Sequence, residues 1–303
     1  VTSPVLVSLG AITPSQLVIA VLAAVIGLAA CLALAIIEWT AWALVCPRRS
    51  LAPAPRLPAP WQIASITADD GVRLEADWLP QGPRVAILLH GFGEDRLGMR
   101  ERGLWLGSLG YSVLSIDLRS RGGSGGERAT FGPLEADDLR AWTDWLARNH
   151  SKATPVTVWG RSMGSSIGIR FAANEPDRVH QLVLEAPYAS LETTVKRWLG
   201  RKHVPAVLAR LALRRAGRLA GSRLDHPSSC ELAARVRATV LIVHGREDTL
   251  VPLDQAHGLA RCFAEATVLE VPEARHTDVF DRSTPEVREA VAAFLGAVHP
   301  SPA

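Results

Sequence analysis

The first charged side chain in this chain is Glu38, and Leu17 to Ile37 before it is an unbroken apolar run of 21 residues with only Gly27 and Cys31 among aliphatics. As a helix rising about 1.5 Å per residue, the run would reach roughly 30 Å, the thickness of a bilayer's hydrocarbon core. It therefore predicts one transmembrane helix inside an anchor covering residues 1–46. Trp39 and Trp42 fall where interfacial aromatics sit, and Arg48, Arg49 and Arg56 follow them, whereas the segment before the run has no Lys or Arg. The positive-inside rule then predicts a single-pass protein of the cell membrane with its remainder in the cytoplasm. A secretory leader fits less well, because the run lacks a preceding positive charge and is longer than an ordinary h-region. Leu28-Ala29-Ala30-Cys31 resembles a lipobox, but the apolar run continues past it to Ile37.

The rest of the 303 residues is a different material. At 48% hydrophobic and 21% charged overall, the chain can bury a large core, which excludes disorder, a collagen repeat and a disulfide-stapled miniprotein. The mean hydropathy of +0.14 averages two unlike parts. A net charge of +3, nearly all of its cations Arg, offers nothing toward nucleic-acid binding. Cys31 and Cys46 belong to the membrane region, and Cys230 and Cys262 have no metal-ligand spacing, so the last two are read as ordinary thiols and no disulfide is expected.

Prolines at 47, 53, 55, 58 and 60 make residues 47–60 an extended linker, expected to hold the folded part off the bilayer. Trp61 to Leu79 reads as a hairpin turning at Asp69-Asp70-Gly71. Short β-branched runs then alternate with helical spacing. Strands are expected at Val85–Leu89, Val113–Ile116, Val156–Trp159, Gln181–Leu184, Val240–Val243 and Val268–Val271. Helices are expected at Leu97–Leu109, Leu134–Arg148, Ser165–Asn174, Leu253–Glu265 and Pro285–Val298. Strands without alternation need a sheet buried on both faces, so the pattern predicts an α/β fold, mostly parallel, with helices on both sides. A helical insertion at about 188–228 interrupts the rhythm and is read as a cap.

The sharpest motif is Gly160-Arg161-Ser162-Met163-Gly164, between a strand and a helical run. A strand-to-helix turn of the form G-x-S-x-G presents the serine hydroxyl at its tip, and the flanking glycines leave room for a strained backbone. Upstream, His90-Gly91-Phe92-Gly93 ends a strand in a turn that can aim N–H groups at an oxyanion, with Phe92 and Met163 as donors. Downstream, Asp248 and then His276 each follow a strand. The order Ser, Asp, His places all three at the carboxyl edge of one parallel sheet.

These motifs resemble the α/β-hydrolase superfamily over roughly residues 61 to 298, and more narrowly the membrane-anchored serine hydrolases related to the Bem46 proteins and the serine aminopeptidase-like group. Asp117-Leu118-Arg119-Ser120-Arg121-Gly122 is similar to that group's D-x-R-G-x-G loop, with Ser120 where a glycine usually stands. The resemblance implies Ser162 as nucleophile, His276 as general base and then acid, and Asp248 as the carboxylate that orients it. Physics asks for the same: a serine hydroxyl near its free pKa is a poor nucleophile until an imidazole takes its proton.

Other residues have plainer readings. Glu185, at a strand end, is a rival for the acid; His90 and His244 are structural histidines; Gly122 to Gly126 is a flexible loop, with no Lys-Ser/Thr after it to make a phosphate site. No metal or cofactor motif is present. Lys196 to Arg223 holds basic and apolar residues and no acidic ones; it is either an ordinary solvated cap face or a face that rests on anionic lipid. The expected function is hydrolysis of a carboxylic ester or related acyl bond in a small-molecule or lipid-like acyl substrate. A peptidase or acyl-thioesterase would use the same residues, and a non-catalytic membrane scaffold is the reading from another class.

Overall fold

A computed structural model describes residues 13–46, 59–150, 155–224 and 226–297. The proline-rich linker lies almost wholly outside these residues. Helix α1, Pro14–Val45, begins on a capping box in which the Thr13 side chain accepts from the Gln16 N–H. It is long and apolar enough to cross a bilayer, and its apolar run is exposed.

The sheet has eight strands: β1 (Gln62–Thr67), β2 (Arg73–Leu79), β3 (Arg84–Leu89), β4 (Tyr111–Ile116), β5 (Val156–Arg161), β6 (Val179–Glu185), β7 (Thr239–Gly245) and β8 (Ala266–Val271). Their order is β1-β2-β4-β3-β5-β6-β7-β8. The hairpin β1–β2 and the β2–β4 pair are antiparallel, and every pair from β4 through β8 is parallel. Successive side chains point to opposite faces, so each inner strand feeds two cores. Val85, Ile87 and Leu89 of β3 enter one, with α3 (Pro133–Asn149), α4 (Met163–Asn174) and α8 (Leu253–Ala260) packed on it. Ala86 and Leu88 enter the other, covered by α2 (Arg100–Ser108) and α9 (Pro285–Ala297). This is the two-sided burial that unalternating apolar strands require.

Between β6 and β7 lie α5 (Leu191–Gly200), α6 (Ala206–Ala220) and the short α7 (Ser229–Ala233). The first two form the cap. The sharpest departure from expectation is how α1 meets it. Thr40, Ala41, Leu44 and Val45 are buried, on one face of the helix, and α1 packs along α6. Ala209, Ala212 and Ala216 of α6 are fully buried, and such small residues on one helix face let neighbouring helices approach closely. Arg215 Nε bonds Glu38 Oε1 at 2.7 Å, Lys202 lies over the Trp39 ring, and the Val45 carbonyl accepts the Ala129 N–H at 2.8 Å. The end of the apolar helix is thus part of the folded domain's core, and some of the cap's cations are spent holding it there.

Three further expectations are corrected. Cys230 and Cys262 form a disulfide, their Cα atoms 5.3 Å apart. The bridge ties α7 to the tight turns that follow α8, and the helix expected to reach Glu265 stops at Ala260. The glycine loop is pinned rather than flexible. Gly123 N–H donates to Asp117 Oδ2 at 2.7 Å, Gly125 N–H to the Arg73 carbonyl at 2.6 Å, and Ser124 Oγ to the Asp117 carbonyl at 2.7 Å. A Cβ on Gly122 would lie 2.1 Å from Asp117 Oδ2, so the glycine is there for close packing. Ser120 has φ +61, the left-handed region where glycine is at ease, which accounts for the residue usual at that place.

Candidate active site

Ser162 sits on the turn between β5 and α4 with φ +50, a backbone conformation that side-chain-bearing residues rarely adopt. The turn is closed by its neighbours: Ser162 N–H donates to the Glu185 carbonyl at 2.8 Å, and Ser165 Oγ donates to the Gly160 carbonyl at 2.7 Å. A Cβ on Gly160 would lie 2.4 Å from the Gly164 carbonyl, and one on Gly164 would lie 2.3 Å from Leu89 O. Both glycines are required by contact with backbone, which cannot yield.

Asp248 follows β7 and His276 follows β8, and the sheet's parallel register brings both to the edge where Ser162 stands. His276 Nε2 is 2.9 Å from Ser162 Oγ, and His276 Nδ1 is 2.6 Å from Asp248 Oδ2. The other carboxylate oxygen accepts the N–H groups of Leu250 at 2.9 Å and Val251 at 2.8 Å. His244 Nε2 is 2.7 Å from the Val251 carbonyl, so it carries a proton, and it stands 3.4 Å from Asp248 Oδ2. Burial alone would raise the Asp248 pKa; the hydrogen bonds from His244 and His276, with the His276 charge, outweigh it and hold the carboxyl well below the usual carboxylate range.

Gly91, Phe92 and Met163 line the same cavity as Ser162. Met163 is the first residue of α4, where the helix leaves N–H groups without intrahelical partners and its dipole favours negative charge. His90 fixes the other side. Its Nε2 accepts the Leu118 N–H at 3.1 Å, so the proton lies on Nδ1, which is 2.8 Å from the Gly91 carbonyl. Burial, more than any neighbour, pushes its pKa down to about 4 and keeps the ring neutral.

Glu185 is not available to His276. Its carboxylate takes two bonds from Arg102, Nε at 2.7 Å and Nη2 at 2.5 Å, and one from Trp159 Nε1 at 3.1 Å, all fully buried. Burial would raise its pKa, and the Arg102 charge and hydrogen bonds reverse that, leaving a paired structural carboxylate.

The cavity holds about 230 Å³. Leu44, Phe131, Leu191, Val195, Trp198 and Leu250 form its apolar wall, and Glu94 and Arg161 pair beside Ser162 at its polar side. Sequence reasoning missed this pair and Leu44. Arg161 is the variable residue inside the serine motif and carries no signal there, and nothing in the sequence marks Leu44, seven residues past the end of the apolar run, as lining a cavity.

Comparison with known proteins agrees with this architecture. Residues 82–231 match the family model of serine aminopeptidase, S33, and residues 222–300 match that of the TAP-like protein. An uncharacterized protein of Mycobacterium tuberculosis is 31% identical over 221 residues, covering 70% of this chain and 71% of that one. The lysophosphatidylserine lipase ABHD12 of Gallus gallus is 28% identical over 247 residues, 73% of this chain but 60% of that protein. Among solved structures, an esterase of Pyrococcus furiosus superposes with a TM-score of 0.67 at 24% identity, over 84% of this chain and 96% of that one. The chain belongs to the α/β-hydrolase superfamily. It is an enzyme of the serine-hydrolase type.

Proposed function

We propose that the protein is a membrane-anchored hydrolase that cleaves carboxylic esters of lipid-like substrates through Ser162, His276 and Asp248. The observation that supports this is the hydrogen-bonded line from Asp248 through His276 to Ser162 Oγ, ending at an apolar cavity. His276 takes the hydroxyl proton as Oγ attacks the acyl carbon. The N–H groups of Phe92 and Met163 hold the oxyanion, and His276 then gives its proton to the departing alcohol. Water repeats the sequence on the acyl-enzyme and frees the acid. The apolar wall suits an acyl chain, and the Glu94–Arg161 pair suits the polar part of the substrate. The name of the ABHD12 relative supports a lipid ester as the substrate class.

The full chain in detergent, assayed against matched ester, thioester and aminoacyl-amide substrates, should turn over medium- and long-chain esters fastest. Preference for the amides would replace this reading with a peptidase and preference for the thioesters with a thioesterase. No turnover and no fluorophosphonate labelling would leave a scaffold.

Arg48, Arg49 and Arg56 favour a cytoplasmic domain, and the Cys230–Cys262 bridge opposes it, since structural disulfides persist in oxidising compartments. The bridge lies inside the folded domain itself, and we infer that this domain faces the oxidising side. In a Cys31→Ser/Cys46→Ser background, thiols trapped in intact cells should react with a maleimide only after reduction. Reaction before reduction would return the domain to the cytoplasm.

A further inference from the structure

We propose that the apolar anchor helix is part of the substrate site, with Leu44 as a determinant of acyl-chain length. This rests on the reading of Ser162 as the nucleophile of an esterase. Leu44 is 3% exposed and lines the cavity that holds Ser162 and His276, opposite no residue of its own helix but among Leu191, Val195 and Trp198 of the cap. It lies in the last turn of α1, one residue before Val45, whose carbonyl is bonded to the loop ahead of α3. The wall is therefore held in place by a backbone hydrogen bond and by the α1–α6 contact, not by a loose tail.

The position of Leu44 follows from helix geometry. It is seven residues beyond Ile37, the end of the apolar run, and so about 10 Å further along the same helix. With the run in a bilayer, the cavity stands just above the leaflet, and an acyl chain leaving it has about 10 Å to cover before it meets the wall that Leu44 forms. A hydrolase domain cut free of residues 1–46 would lack this side of the cavity. Pocket shape discriminates chain length by about 10-fold or more per methylene in favourable cases, so one side chain in the wall can move the preferred substrate.

The test uses the full chain in detergent with Leu44→Trp, which narrows the cavity, Leu44→Ala, which widens it, and Trp42→Ala, a change on the exposed face of the same turn. Turnover of p-nitrophenyl esters from acetate to palmitate gives the profile, and labelling by a small fluorophosphonate reports whether Ser162 is intact. Leu44→Trp should lower kcat/KM for long chains by roughly 10-fold or more while the acetate ester stays within about 2-fold. Leu44→Ala should shift the optimum toward longer chains, and Trp42→Ala should leave the profile unchanged. Equal effects at every chain length with Ser162 still labelled, or the same shift in Trp42→Ala, would overturn the proposal. Absence of Ser162 labelling in the unaltered protein would instead overturn the esterase reading and this proposal with it.

Discussion

Ser162→Ala should abolish fluorophosphonate labelling and lower ester turnover by about 10⁴- to 10⁶-fold, the range seen when the nucleophile of such a unit is removed. The effect is expected to be purely chemical. Ser162 accepts and donates through its backbone at the turn, to Glu185 and from Ser165, and these bonds survive the loss of Oγ. The positive φ at Ser162 is equally strained for alanine, so the melting temperature should stay within a degree or two of the parent. Labelling that persists in Ser162→Ala would move the nucleophile elsewhere. Ser165 is the nearest rival by sequence, but its hydroxyl is buried and bonded to the Gly160 carbonyl.

Asp248→Asn should cost about 10⁴-fold in turnover at neutral pH while leaving the fold intact. The asparagine carbonyl can still accept from Leu250 and Val251, so the loop after β7 keeps its shape. What fails is the side facing the histidines. An amide NH2 in place of Oδ2 meets His276 Nδ1 and His244 Nε2, where two donors now oppose it, and His276 is driven to the tautomer that cannot accept the serine proton. Kinetics beside a thermal melt would separate this from unfolding, and a loss under about 10-fold would remove Asp248 from the mechanism. The direction of its pKa adds a point. A carboxyl held far below the usual range stays ionised through any workable assay pH, so the acid limb of the activity profile does not belong to it.

Much of this architecture was legible because the relevant physics is local. Glycines at 160 and 164 announce a turn too tight for a Cβ, and the strand runs from Val85 to Val271 lack alternation because both sheet faces are covered. Asp248 and His276 were visible by their place just after a strand, a place that parallel topology turns into proximity to Ser162. The illegible features are those created by tertiary contact alone. Cys230 and Cys262 are 32 residues apart, a separation with no meaning until α7 and the end of α8 meet. Gly122 to Gly126 looks like any mobile glycine cluster until Asp117 is seen at its centre. Leu44 looks like one more apolar residue of the anchor until Leu191, Val195 and Trp198 are seen to line a cavity with it.

The seating of α1 in the core bears on how often a substrate is met. A domain on a flexible tether samples a volume and many orientations, and each productive encounter gives up that freedom. Here the last turns of the helix are buried and bonded to the domain, so on the proposed reading of α1 as an anchor the tilt of the domain to the membrane would be set when the span inserts. On that same reading the search for an acyl chain in the same leaflet would take place in two dimensions, against a lipid density fixed by area. Aqueous esters gain nothing from that arrangement, and the enzyme's preference between soluble and membrane-dissolved substrates is expected to depend on the junction as much as on the cavity.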